Sequence, residues 1–150
     1  MRLEEELKTD KFESAHQRAW LSILFTGNWL EERINGSLKP FGISDQQYNV
    51  LRILKGQMGK AVNLYMIQER MIHRSSNATR LVEKLRQKGL VKREICPHNR
   101  RMVEIQITEK GLKLLESIEP ILKNDRKDTE KKWTKEEAEL IGNLLDKLRA

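Results

Sequence analysis

The stretch NATRLVEKLRQKGLVK, residues 77–92, decides the fold. Ala78, Leu81, Val82 and Leu85 recur at three- and four-residue steps, which places them on one face of an α-helix. Turning that face inward leaves Ser76, Thr79, Arg80, Glu83 and Gln87 on the opposite side, with Asn77 and Lys84 at its edge. Ser75 or Ser76 is the expected N-cap, and Gly89 the expected stop. Beyond Gly89 the apolar period falls to two. Leu90, Val91 and Ile95 lead into a turn over Pro97, His98, Asn99 and Arg100, and Val103, Ile105 and Ile107 alternate with Glu104 and Gln106 on the return. A helix with a polar outer face is thus followed by a β-hairpin.

Working outward, Asn63 is placed to cap a short helix with Leu64, Ile67 and Met71 inward. Before it, Ser44 and Gln47 have capping-box spacing and open a helix carrying Tyr48, Val50, Leu51, Ile53 and Leu54, ending near Gly56. A long helix over about 11–36 bears Phe12, Ala15, Ala19, Ile23, Leu30 and Ile34, widened by Trp20, Leu24 and Trp29. Gly36 is expected to end it in the left-handed conformation, with Pro40 barring continuation. Downstream, Thr108 caps a helix through Leu112, Leu114, Leu115, Ile118 and Ile121, which Pro120 is expected to kink or interrupt. The charged run 123–132 reads as an exposed helix turn or loop. Thr134 and Glu137 form a second capping box for a last helix striped by Ala138, Leu140, Ile141, Leu144, Leu145 and Leu148. The expected class is mainly α with a small β-hairpin (α+β). We expect a single domain over 1–150, with a winged-helix lobe at about 41–111 between helices at about 11–36 and 112–150.

The charge is focused on that lobe. The chain of 150 residues has a formal net charge of +7, and Asn63–Gly111 alone holds eleven Lys or Arg against five acids, a surplus of +6. Such a focus suits a polyanion. Two short helices and then a hairpin is the order of a winged helix-turn-helix, whose second helix enters the major groove of double-stranded DNA. Arg suits guanine, Asn or Gln suits adenine, and Ser or Thr can meet base or phosphate. Ser75, Ser76 and Asn77 sit where a helix N-terminus favours phosphate. Lys92 and Arg93 on the incoming strand, and Arg100 and Arg101 at the tip, stand where a wing meets the backbone or the narrow minor groove. The candidate DNA-binding residues are therefore Ser75, Ser76, Asn77, Thr79, Arg80, Lys84, Lys92, Arg93, Arg100 and Arg101.

The run from Asn77 to Leu85, followed by Lys88, Gly89, Leu90, Val91 and Lys92, resembles the recognition helix and strand entry of the MarR family. Asn99, Arg100, Arg101 and Met102, then Ile107, Thr108, Glu109, Lys110 and Gly111, are similar to that family's wing and following helix. Asn99 departs from the pattern, since the family usually has an acid beside the wing arginines. The resemblance implies a homodimer interlocked through its first and last two helices, and a sequence-specific, ligand-responsive repressor on a palindromic operator. It also allows an aromatic small-molecule effector against Trp20, Phe25 and Trp29, although core or dimer packing is the safer reading of those side chains. The uncovered stripes of the terminal helices agree with self-association; the alternative is that they pack on each other within one chain.

Cys96 is the lone cysteine, which excludes an intrachain disulfide and points to the reducing cytoplasm. The family's oxidant-sensing cysteine is usually in the first helix, which here has none. His16, His73 and His98 show no ligand spacing, so no metal and no cofactor is expected. No apolar run approaches the roughly 20 residues of a membrane span, and the start, Met1 to Asp10, is too charged to read as a signal peptide, so neither export nor membrane insertion is expected. Without a nucleophile motif, phosphate loop or metal cluster, an enzyme is not expected. The competing reading is a winged-helix protein-interaction module that does not bind DNA.

Overall fold

Side-chain caps supplied by the sequence set where the helices begin. The Ser44 hydroxyl accepts the Gln47 N–H, and Gln47 Oε1 accepts the Ser44 N–H, both at 3.2 Å. Thr134 and Glu137 reciprocate in the same way at 3.2 and 2.7 Å. Asn63 accepts the Met66 N–H at 2.8 Å, and Thr108 the Gly111 N–H at 3.1 Å. Each such cap satisfies a backbone donor that the helix itself cannot.

The computed structural model describes the backbone of residues 2–96 and 99–150 and the side chains of 2–95 and 103–150. Its helices are α1 (Leu3–Leu7), α2 (Ala15–Leu38), α3 (Asp45–Lys55), α4 (Leu64–Arg70), α5 (Ala78–Gln87), α6 (Glu109–Glu130) and α7 (Lys135–Arg149). The strands are β1 (Val62–Asn63), β2 (Val91–Cys96) and β3 (Asn99–Ile107). They form an antiparallel sheet in the order β1-β3-β2, with Val62 opposite Ile105, Val91 opposite Ile107, and an irregularity at Ile95/Cys96. The fold is mostly helical with a small sheet, as its apolar periods predict.

Five differences from the expected boundaries have physical causes. α2 runs through Gly36 to Leu38, because Leu38 is fully buried and holds the last turn down. The chain then makes a 3-10 turn, Lys39–Phe41, in which Pro40 occupies an early position where a missing N–H matters little, and Gly42 at φ +66° takes the left-handed role. The cap of α5 is Asn77, whose Oδ1 accepts the Arg80 N–H at 3.0 Å, rather than Ser75 or Ser76. Pro120 lies within an uninterrupted α6. Its flanking Ile118 and Leu122 are buried, and fully burying an aliphatic side chain yields about 1.5–3 kcal/mol, which two such residues can set against the proline penalty of about 3 kcal/mol. Finally, α1 and β1 are too short for any period to register.

Leu38, Val50, Leu51, Leu54, Ile67, Val82, Leu85, Ile105, Leu115 and Ile118 are almost fully buried and form one core beneath α5 and the sheet. Gly111 permits a close approach, because α6 starts directly against Leu90 at the root of β2. α7 and most of α2 lie outside this core. Among the described residues, α7 has no buried side chain, and Leu140, Ile141, Leu144 and Leu148 are exposed, as are Trp20, Ile23 and Leu24 of α2. The stripes therefore do not cover each other within one chain.

Candidate nucleic-acid interface

α5 is held by its apolar face. Ala78, Val82 and Leu85 are buried, with Leu81 partly so, against α3, α4 and β2. Its 3.6-residue period then forces Thr79, Arg80, Lys84 and Gln87 outward, and all four are exposed. Among the described residues, none pairs with the side chain of Arg80, Lys84 or Lys92. Such unpaired cations are available to an anionic partner without first breaking an ion pair.

Glu83 behaves differently. Arg86 grips it with two hydrogen bonds, Nε at 3.0 Å and Nη2 at 2.8 Å, and Arg93 Nη1 reaches it at 3.8 Å across from β2. The Arg86 hydrogen bond, with Gln87 and the charges of Arg86 and Arg93 behind it, holds the Glu83 carboxyl below the usual carboxylate range, and Glu83 in turn raises Arg86. Glu83 is therefore an anionic brace between helix and strand. Thr79 and Arg93 line one shallow groove between α5 and the sheet, with Tyr65 of α4 on its other wall.

At the helix start, Ser75 and Asn77 are exposed and Ser76 is partly buried, beside first-turn N–H groups that the helix cannot satisfy. The side chains of Arg100 and Arg101 at the proposed tip, with Cys96, lie outside the described side chains, and Pro97 and His98 outside the described residues. The structure thus gathers Ser75, Ser76, Asn77, Thr79, Arg80 and Lys84 at one helix, with Arg93 beside it and Lys92 on the adjoining strand.

A second feature is a cleft of about 550 Å³ between α2, the start of α3, the α4–α5 turn and α6. That volume lies within the ~300–1,000 Å³ of small-molecule sites. Ile23, Leu24, Ile34, Tyr48, Ile72 and Leu122 supply apolar wall, while Glu31, Asp45 and His73 add polar groups. Trp20, Phe25 and Trp29, the side chains singled out from the sequence, do not line this cleft. The lining residues of α2 are 23, 24, 27, 28, 30, 31, 33 and 34; the helical period turns positions 25 and 29 away from the centre of that face, whereas position 20 shares the face but lies about one turn before its first lining residue. Trp29 instead stacks under the Arg33 guanidinium, 5.8 Å from the ring centre, and Arg33 reaches Asp125 of α6 at 3.6 Å. Glu31 and Asp45 went unnoticed in the sequence, and His73 was set aside there, because the three come from separate elements without a common spacing.

A capped helix-turn-helix with a polar, cation-bearing outer face, followed by a hairpin, defines a winged helix-turn-helix protein. Residues 43–103 match the model of the MarR family. The chain is 29% identical over 121 residues to the HTH-type transcriptional regulator MhqR of Bacillus subtilis (strain 168), spanning 79% of this chain and 81% of that protein. Its fold superimposes on the crystal structure of Sco3205, a MarR family transcriptional regulator from Streptomyces coelicolor in complex with DNA. The TM-score is 0.79 at 21% identity, covering 93% of this chain and 89% of that one. It also superimposes on the organohalide-sensing regulator RdhR-CbdbA1625 in its 2,4-dichlorophenol-bound form, with a TM-score of 0.82 at 20% identity, covering 91% and 80%. The segment 43–103 thus carries the pattern of the MarR family, and the curated relative that the chain resembles over most of its length is a transcriptional regulator. Among the described residues, no helix is long and apolar enough to cross a membrane.

Proposed function

We propose that this chain binds double-stranded DNA sequence-specifically as a homodimer, acting as a cytoplasmic repressor whose operator affinity changes when a small molecule enters the cleft. The observation that carries the reading is the outer face of α5: Thr79, Arg80 and Lys84 stand exposed, the two cations without an ion-pair partner among the described residues, beside the strand that bears Lys92. The DNA complex of Sco3205 supports the same use of the fold.

Dimerisation is supported by the exposed apolar stripes of α2 and α7, which a second copy can cover. A twofold axis would present two α5 helices about 34–36 Å apart, one turn of duplex, and hence an operator of inverted half-sites. Ligand response is supported by the position of the cleft, since its walls belong both to α2 and to the turn that leads into α5. An occupant can favour one orientation of those elements over another, which is all that a binding equilibrium requires. The dichlorophenol-bound relative makes a compact aromatic molecule the first class to try.

Selection from a pool of randomised duplexes tests the proposal. Enrichment of inverted repeats with half-site centres about 10–10.5 base pairs apart is expected. Retention of no duplex, or of duplexes with no shared sequence, overturns it.

A further inference from the structure

Three side chains from three elements converge on the rim of the cleft. Glu31 comes from α2, Asp45 from the first turn of α3, and His73 from the turn between α4 and α5. His73 Nε2 lies 3.3 Å from Asp45 Oδ2 and 4.0 Å from Glu31 Oε1, and one donor atom of each falls within 4.8 Å of the other two. We propose that this triad binds a divalent first-row transition ion, with Zn²⁺ the best match, and that the ion ties the helix-turn-helix to α2.

The geometry fits such an ion. Donors held 2.0–2.1 Å from a tetrahedral zinc stand about 3.3 Å apart, which is the existing His73–Asp45 separation. Glu31 closes the remaining gap by rotating its own half-exposed side chain. The donor chemistry fits as well. One imidazole selects against Mg²⁺ and Ca²⁺, the absence of thiolate selects against Cu⁺, and two carboxylates match a divalent charge.

The backbone is fixed next to two of the three donors. Asn35 Oδ1 accepts the N–H of Asp45, and Asn49 Oδ1 accepts the N–H of Ile72, each at 2.9 Å. These bonds limit the motion of the backbone that carries Asp45 and His73, and a plain ion pair of His73 with Asp45 would not require Glu31 to point at the same spot. Three protein donors leave a fourth position for water or for a donor atom on an occupant of the cleft. The consequence for operator affinity rests on the DNA-binding reading above; the binding of the ion does not.

The test uses the full chain freed of metal by a chelator. Co²⁺, followed by its visible absorption, and Zn²⁺, followed by calorimetry, are titrated into the wild type, Glu31→Gln, His73→Gln and Cys96→Ala. We expect one ion per chain, at least tenfold weaker binding in both Glu31→Gln and His73→Gln, and no change in Cys96→Ala. Helix content by circular dichroism accompanies each titration. Because Asn49 still holds the turn in His73→Gln, and Glu31 lies on an open face, both variants are expected to fold. Absence of binding, or binding that survives both substitutions, overturns the site. DNA affinity is read separately: a chain that binds one ion but no duplex would defeat the DNA-binding reading and leave the metal site standing.

Discussion

Replacing Gly111 by alanine puts a methyl group where the chain has no room. A Cβ at this position would sit closer than 3.0 Å to the Leu90 carbonyl oxygen and 2.8 Å from Ile107 Cγ1. The first obstacle is backbone, and that carbonyl already accepts the Thr108 N–H at 3.1 Å, so it cannot swing aside without losing a bond. Overpacking of this kind costs about 1–3 kcal/mol, while exchanging Gly for Ala in a helix returns up to about 1 kcal/mol. A net loss of about 1–2 kcal/mol is expected, which for a chain of this length lowers the melting temperature by about 2–8 °C. The matched control is Gly36→Ala, where a Cβ meets nothing within 4 Å and α2 is helical on both sides. It should gain roughly 0.5–1 kcal/mol. The assay is urea denaturation followed by far-ultraviolet circular dichroism at one fixed protein concentration. An unchanged or raised midpoint for Gly111→Ala would refute the close approach, and a lowered midpoint for Gly36→Ala would show that α2 ends where Gly36 stands.

Other expectations follow from the caps, charges and exposed face. Arg80→Ala should flatten discrimination at particular base pairs by about 1–3 kcal/mol each, whereas Lys92→Ala should weaken all duplexes alike; competition binding against single-base operator variants separates the two outcomes. Asn77→Ala should cost about 0.5–2 kcal/mol of stability in denaturant titration, and more than Ser75→Ala or Ser76→Ala, since Asn77 holds the cap bond. Glu119 bridges α3 and α6 through Lys55 at 3.5 Å and Arg52 at 3.0 Å, and the Lys55 charge, its hydrogen bond and then Arg52 lower the Glu119 pKa from its ordinary 4.5. A carboxyl lowered by folding stabilises above its unfolded pKa and ceases to do so as pH falls through its folded one. The gap between wild type and Glu119→Gln in thermal unfolding should therefore be present at pH 7 and shrink on acidification below 4.5; a gap independent of pH would show that the pair contributes nothing through charge.

The winged lobe was legible because its signals are local. The stripe Ala78, Leu81, Val82, Leu85 and the alternation Val103, Ile105, Ile107 each need one element to be read, and the pairing of β2 with β3 follows from the hairpin. Boundaries governed by distant packing were not legible. Buried Leu38 carries α2 past Gly36, and buried Ile118 and Leu122 carry α6 through Pro120, both through contacts with other elements. The α5 face could be derived from its period alone, whereas the cleft could not. Aromatic residues drew attention to Trp20, Phe25 and Trp29, while the wall of the cleft mixes aliphatic with charged side chains and joins α2 to residues 45–73 and to α6. His73 looked scattered in sequence and is adjacent to Asp45 in space.

The central claim is that the cations of α5 and the adjoining strand contact duplex phosphates as well as bases. Affinity for a selected inverted repeat, measured by fluorescence anisotropy across a series of salt concentrations, tests it most directly. Each neutralised phosphate contributes a slope of about −0.9 in log K against log salt. A steep line equivalent to several phosphates, made shallower by roughly one contact per subunit in Lys92→Ala, is the predicted result. A flat line, or one that Lys92→Ala leaves unmoved, would contradict the account.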